Sequence, residues 1–331
     1  MKKSIYSFVG SLLVLMVVQQ SRAQLIPALG RERAGTAAAT FLKIGVGARA
    51  AAMGEAFISL SGDASAMYWN PAGMTQLNNF SLYFSHLQYV ADIAHQYVGI
   101  VKKLTPSDAI GISIIALNTG EMNVTTEVQP FGTGQTFTFN DLMVGISYAR
   151  QLTDKFSAGI TAKVIREDLA TVHLTGFLVD VGTIYDTGWM GSRFAVSISN
   201  FGAEFNASGE IWDFLGNPVP NPQYQTFPAP LMFRIGFSMN VLERDGSHAI
   251  VAFQLDHPND DAEHFNFGAE YWFQRNIALR AGYKRNGPIG GISAGFGLVL
   301  PMRVMRFTLD YAFTEFGLLG NINRFTLNLD F

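Results

Sequence analysis

Phe265-Asn266-Phe267-Gly268-Ala269-Glu270-Tyr271-Trp272-Phe273-Gln274 is the stretch on which the fold turns. Phe265, Phe267, Ala269, Tyr271 and Phe273 form one face, and Asn266, Gly268, Glu270, Trp272 and Gln274 form the other. A period of two with one apolar side is a β-strand with one face in an oily environment. The same alternation runs through Leu231, Phe233, Ile235, Phe237, Met239 and Val241, and again through Met305, Phe307, Leu309, Tyr311 and Phe313. Fourteen such stretches lie between Asn79 and Phe331: 79–90, 92–104, 108–118, 139–151, 156–167, 174–186, 193–205, 229–241, 248–257, 263–274, 276–285, 290–300, 303–314 and 322–331. Strands in soluble proteins average about 5–6 residues, whereas these are long enough, tilted by about 45°, to cross a ~30 Å hydrocarbon layer.

The connections agree. Short ones at Pro106-Ser107, Thr153–Lys155, Gly188–Gly191, Glu243–Gly246, Gln274-Arg275 and Pro301-Met302 alternate with longer ones at 119–138, 206–228, 258–262, 286–289 and 315–321. Short turns on one side and longer loops on the other are the habit of outer-membrane barrels. The link near Asp92 is the exception and reads as a bend within a long strand. Tyr83, Tyr97, Tyr148, Tyr185, Trp189, Tyr271, Tyr283 and Tyr311 are candidates for aromatic girdles at the membrane interfaces. The last strand alternates Phe325, Leu327, Leu329 and Phe331, the kind of terminal aromatic strand that barrel-assembly machinery reads. The fold expected is all-β: a 14-stranded antiparallel transmembrane outer-membrane β-barrel, in contact with outer-membrane lipid, with a short helical N-terminal plug.

Composition excludes several other classes. Of the 331 residues, 48% are hydrophobic and only 15% charged, against about 25% charged in an ordinary soluble domain. No apolar run of 18 residues lies beyond the N-terminus, which excludes a helical membrane protein. Cysteine is absent, so there is no disulfide framework, thiolate metal site or thiol nucleophile.

Lys2 and Lys3, then an apolar run to Val18, then Ser21-Arg22-Ala23 read as a signal peptide over residues 1–23. Its removal leaves 20 basic against 26 acidic residues, no electrostatic footprint for nucleic acid. The barrel is then residues 79–331, both its ends on the periplasmic side, and residues 24–78 are the plug. Within the plug, Gly47–Leu60 is rich in Ala and Met and reads as a short helix. Asp63 reads as the N-cap of a second turn, and Asn70-Pro71 places proline at the first position of a third. Fourteen strands enclose more space than barrel side chains alone can fill, which is the physical reason to expect a plug.

Two stretches carry a family resemblance: Gly45-Val-Gly-Ala-Arg-Ala-Ala-Ala-Met-Gly-Glu-Ala56, and Asp63-Ala-Ser-Ala-Met-Tyr-Trp-Asn-Pro-Ala-Gly73. They resemble the plug region of the FadL-type fatty-acid transporter superfamily, with the plug motif at Asn70, Pro71, Ala72 and Gly73. His257–Asp260, Gly268–Tyr271, Leu279–Tyr283, Phe316–Asn321 and Asn323–Phe325 resemble one branch of it, the PorV/PorQ family of Bacteroidetes-type bacteria. That resemblance covers essentially the whole mature chain. It implies an accessory of the type IX secretion system that docks beside a large translocon, binds the C-terminal signal domains of exported cargo proteins, and hands them to surface attachment. The alternative it implies is a FadL-type channel for uptake of hydrophobic small molecules.

Candidate site residues follow. Ile211, Trp212, Phe214 and Leu215, followed by a proline-rich run, suggest a partner-binding loop, with 119–138 as a second. Lys163, Asp180, Arg234, Glu270, Arg280, Arg306 and Asp310, together with Asp256 and Lys284, fall on the face away from lipid and are expected to line the lumen. Large apolar residues on that face are few, chiefly Ile165, Leu178, Ile184 and Trp272, which disfavours a fatty-acid pocket. Gly45–Ala50 mimics a dinucleotide fingerprint without its βαβ unit. The polar loop Asp256–His264 matches no metal spacing. None of the six histidines sits in a nucleophile motif. No enzyme activity, cofactor or metal is expected.

Overall fold

The computed structural model describes residues 34–211, 219, 222–244, 246–286 and 291–331. Fourteen strands form the wall: β1 (Phe80–Gln88), β2 (Ala94–Lys103), β3 (Asp108–Asn118), β4 (Phe139–Thr153), β5 (Phe156–Leu169), β6 (Val172–Asp186), β7 (Arg193–Gly202), β8 (Met232–Arg244), β9 (Ser247–Pro258), β10 (His264–Phe273), β11 (Ile277–Arg285), β12 (Gly291–Pro301), β13 (Arg306–Glu315) and β14 (Asn321–Asp330). Each pairs antiparallel with its neighbour, and β14 returns to β1 through Leu82↔Leu329 and Phe84↔Leu327. Closure satisfies the backbone of every strand, which is what lets strands cross a membrane. Among the described residues no helix is long and apolar enough to cross one.

Side chains alternate as the sequence requires. Ile112, Ile146, Phe177 and Leu279 are more than half exposed on the outer face, while Ser113, Ser147, Asp180 and Arg280 of the same strands are buried inside. Outward exposure of large apolar groups on every strand is the signature of a lipid-facing wall.

Two mouths differ in their connections. At one, Lys155, Gly246 and Gln274 lie in tight turns, and Phe80 meets Phe331, their rings 5.6 Å apart. At the other lie the longer loops. The link around Asp92 is there too, and it is a full reversal rather than a bend: Ala91 and Asp92 take φ of 55° and 58°, and Gln88 pairs with Ala94 across the turn. One irregularity marks the wall. The β6–β7 register shifts between Val179 and Val181, and Asn200 takes φ 63°. Beyond it, β6 pairs instead with a short strand, Phe205–Gly209, itself paired with Thr226–Phe227.

The lumen is occupied by the chain's own N-terminal segment. Residues 38–78 are mostly buried, and Phe41, Leu42, Met53, Phe57, Ile58, Met67, Trp69 and Met74 form the core together with inward residues of the wall. The helix expected over Gly47–Leu60 is shorter, Ala48–Ala52. It ends because Gly54 (φ 62°) and Glu55 (φ 66°) turn the backbone sharply against the wall, where a Cβ at Gly54 would stand 2.7 Å from the Tyr283 backbone nitrogen. Asp63 accepts from the Ser65 backbone N–H at 2.8 Å. Asn70 caps a 3-10 turn, Pro71–Gln76, accepting from the Ala72 N–H at 3.2 Å, with Pro71 in the first turn.

Candidate functional site

The inner segment runs from one mouth to the other. At the long-loop mouth, Ala38 donates to the Pro228 carbonyl at 3.0 Å, Ala39 to Glu167 at 3.0 Å, and Lys43 to Asp260 at 2.7 Å. Midway, the Phe57 and Ile58 N–H groups converge on Gln254 Oε1 at 2.9 and 3.0 Å, and Ala48 N–H meets Thr326 Oγ1 at 2.8 Å. At the short-turn mouth, Thr75 meets Ser157 at 3.0 Å and Gln76 accepts from Arg193 at 2.8 Å. The barrel proper begins and ends at the short-turn mouth, but the first described residues lie at the opposite one.

The plug motif sits near the short-turn end. Asn70 is fully buried, and its Nδ2 donates to the Thr183 carbonyl of β6 at 3.0 Å. Gly73 donates to the Asn70 carbonyl at 2.9 Å and completes the turn. Pro71 and Ala72 press on Gly159 of β5, where a Cβ would stand 2.5 Å from the Pro71 carbonyl carbon.

Six of the seven expected lumen charges are buried on the inward face, and all six join three clusters. Glu270 accepts from Arg49 at 2.7 and 2.8 Å and from Arg280 at 2.6 Å; Arg280 reaches on to Asp310 at 2.6 Å. Lys163 holds Asp180 at 2.7 Å. Arg234 faces Asp256 at a longer 3.7 Å and lies over Trp69, 5.6 Å from its centroid. Arg306 differs: it is on the inward row but at the strand's end, its side chain 58% exposed beside Asp330. A charge at the rim reaches solvent, so alternation alone overstates its burial.

Other sequence expectations land elsewhere. Tyr83 and Tyr97 are buried inside the barrel rather than in a girdle, and Tyr97 donates to the Ala64 carbonyl at 2.7 Å. Their neighbours Leu82, Phe84 and Val98 take the outward positions, so the pleat turns both tyrosines inward. Tyr148, Tyr185, Trp189, Tyr271 and Tyr283 are exposed. Phe325, Leu327 and Leu329 face outward, and Phe331 packs on Phe80. Ile211 is exposed; Trp212, Phe214 and Leu215 lie outside the described residues. Within 119–138, Met122–Asn123 pairs with Thr136–Phe137 as a small hairpin, and Val128 and Phe131 at its far end are 89% and 99% exposed. The loop at 257–264 pairs locally, His257 with Glu263 at 3.2 Å, while its Asp260 is taken by Lys43.

Just inside the long-loop mouth lies a cavity of about 360 Å³. Phe41, Ile44, Tyr68 and Trp69 supply its apolar floor, and Leu117, Phe139 and Met232 its sides. Its polar groups include Glu55 with Lys284, paired at 2.5 Å, Asp141, Arg234 and Arg324, with Lys43, Asp256, Asp261 and His264 beside them. The inward rows carry more large apolar side chains than expected, Leu87, Ile115, Leu117 and Met143 among them, and the inner segment adds the pocket's aromatic floor. Arg324 and Asp141 were not singled out from sequence. The alternation Ile322, Arg324, Thr326, Asn328 against outward Phe325 and Leu327 is the signal that places Arg324 inside.

Comparison with known proteins agrees with this architecture. The family described as type IX secretion system protein PorV matches residues 28–207. Among solved structures, the toluene transporter TbuX of Ralstonia pickettii superposes with a TM-score of 0.55 at 14% identity, over 86% of this chain and 97% of that one. The toluene transporter TodX of Pseudomonas putida gives 0.56 at 13%, over 86% and 96%. A FadL homologue of Pseudomonas aeruginosa gives 0.53 at 11%, over 85% and 97%. At these identities the likeness is one of fold. No curated protein matches in sequence.

Proposed function

The chain belongs to the PorV family of type IX secretion outer-membrane barrels, and from that premise we propose that it binds the C-terminal signal domains of exported proteins and hands them to surface attachment. In this reading residues 1–23 are removed on export, residues 24–78 are the plug, and residues 79–331 are the barrel. The long-loop mouth faces the cell exterior and the short-turn mouth the periplasm. One observation carries the proposal beyond the family: the inner segment is tied to the wall at both mouths and along its length. A lumen filled this way supports a docking surface rather than a passage. The surface is the long-loop mouth, where Val128 and Phe131 project on their hairpin. Exposed apolar groups on a braced hairpin lose water on contact and anchor a partner.

The partners are then the exported cargo and a large translocon barrel. A pulldown of the tagged protein from its own outer membranes in gentle detergent, read by mass spectrometry, tests this. Secreted proteins sharing a C-terminal β domain, or a giant barrel, are the expected companions. Recovery of the barrel alone with a hydrophobic small molecule overturns the proposal. That outcome would favour the second reading, an uptake channel for hydrophobic compounds, whose one supporting observation is the aromatic floor of the outer cavity.

A further inference from the structure

Five inward residues on five consecutive strands lie in one row beneath the long-loop mouth. Arg324 of β14 pairs with Leu87 of β1, Leu87 with His95 of β2, His95 with Leu117 of β3, and Leu117 with Asp141 of β4. All five are buried. The row alternates polar and apolar, and its three polar members share a property. Arg324 Nε and Nη1, His95 Nε2 and Asp141 Oδ1 have no hydrogen-bond partner among the described residues. Neighbouring carboxylates are already committed: Glu55 to Lys284 at 2.5 Å, and Asp256 to Gln254 and Asn266, each at 2.7 Å. Polar groups this deep are ordinarily satisfied, and a guanidinium is built to take a carboxylate by two parallel bonds. Arg324 and Asp141 both line the cavity, whose volume of about 360 Å³ suits a ligand.

The spacing selects the ligand. Adjacent strands lie ~4.8 Å apart, so Arg324, His95 and Asp141 follow one another at about 10 Å intervals round the wall. An extended peptide rises ~3.3 Å per residue, or about three residues per interval. A single amino acid is too short to reach from Arg324 to Asp141. A fatty acid reaches, but it carries polar atoms at one end only and leaves Asp141 as it is. A peptide end supplies a carboxylate for Arg324 and a backbone N–H for Asp141. Ile44, Trp69 and Phe139 then receive its side chains.

We propose that this cavity seats the last residues of an exported protein, with the chain-terminal carboxylate held by Arg324 and the preceding backbone laid along the row toward Asp141. The proposal rests on the reading of the barrel as a carrier of exported C-terminal domains, and capture of a free chain end is an established recognition mode.

The test uses the full-length barrel in detergent and the C-terminal domain of a secreted protein recovered in the pulldown. That domain is prepared in three forms: free carboxylate, C-terminal amide, and extended by Gly-Ser. The free acid is expected to bind at least about tenfold more tightly than the other two, a difference of ~1.4 kcal/mol. Arg324→Gln is expected to lower affinity for the free acid to that of the amide and to leave the amide unaffected; heat-modified gel migration shows whether the variant barrel is folded. Equal binding of all three forms to the unmodified barrel overturns the cavity assignment and leaves the carrier reading standing. Binding of none overturns the carrier reading and this inference with it. Arg324-dependent binding of palmitate that does not compete with the free-acid domain assigns the cavity to a lipid and overturns the peptide assignment.

Discussion

The inner segment meets two halves of one wall in two different ways. Toward β10–β14 ion pairs add to close packing: Arg49 clasps Glu270, which also holds Arg280, Glu55 meets Lys284, and a Cβ at Gly282 would overlap the Gly54 nitrogen. Toward β5 and β6 the packing comes without a segment-to-wall ion pair among the described residues: Pro71 and Ala72 lie on Gly159, and a Cβ at Gly182 would overlap Asn70. That second half has a buried ion pair of its own, Lys163 with Asp180, but it joins wall to wall. Charge therefore fixes where the segment sits against one half, because Arg49 and Glu55 each find a partner of opposite sign there. Missing side chains fix how closely it approaches both.

The largest effect is expected at Glu270, which serves two arginines at once. Glu270→Ala removes the partner of the half-buried Arg49 and leaves the buried Arg280 with Asp310 alone. Breaking a buried pair costs about 3–5 kcal/mol, and here the upper end applies. The loss should appear in denaturant unfolding, and limited proteolysis should cut the segment around Arg49. An intact segment at full stability would show that the ionic half does not hold it. Lys163→Met strands Asp180, which keeps the Asn200 N–H at 2.7 Å, so a loss nearer ~3 kcal/mol is expected. Because that pair belongs to the wall, the segment should stay resistant to protease. Cleavage of the segment in this variant would erase the distinction between the halves.

Gly159→Val probes the steric half. Its new Cβ would stand 2.5 Å from the Pro71 carbonyl carbon, and the obstacle is backbone rather than a flexible side chain. Overpacking of this kind costs about 1–3 kcal/mol. Proteolysis should then open the segment near Pro71–Gln76 while the Arg49 end stays clasped, the reverse of the Glu270 variant. Opening at both ends in either variant would mean that the segment moves as one body.

The wall was largely legible in the sequence because one face of every strand meets lipid, and a period of two cannot be mistaken over ten residues. The fourteen stretches correspond to the fourteen strands, with ends displaced by a few residues where turns tighten. The interior was legible only in part. Inward Lys163, Asp180, Glu270, Arg280 and Asp310 follow from alternation, but the inner-segment partner of Glu270, Arg49, comes from 221 positions away. Tyr83 and Tyr97 were misplaced because an aromatic near a strand end suits a girdle and a lumen equally, and register alone separates the two. The outer cavity was hidden for a third reason. Its floor is Phe41, Tyr68 and Trp69, residues of the segment that does not alternate.

Arg306 gives the smallest expected effect and sets the zero of the comparison. It shares the inward row with Asp310, yet its side chain is 58% exposed and its bond to Asp330 is 3.1 Å. Solvent screens a rim pair, and such pairs contribute about 0–1 kcal/mol. Arg306→Ala should shift unfolding by no more than about 0.5 kcal/mol and leave the inner segment protected from protease. A loss as large as that from Lys163→Met would mean that rim charges brace the barrel as strongly as buried ones. The ionic grip could then not be assigned to the interior of β10–β14, and the contrast between the two halves would have to be redrawn along the barrel axis instead of around it.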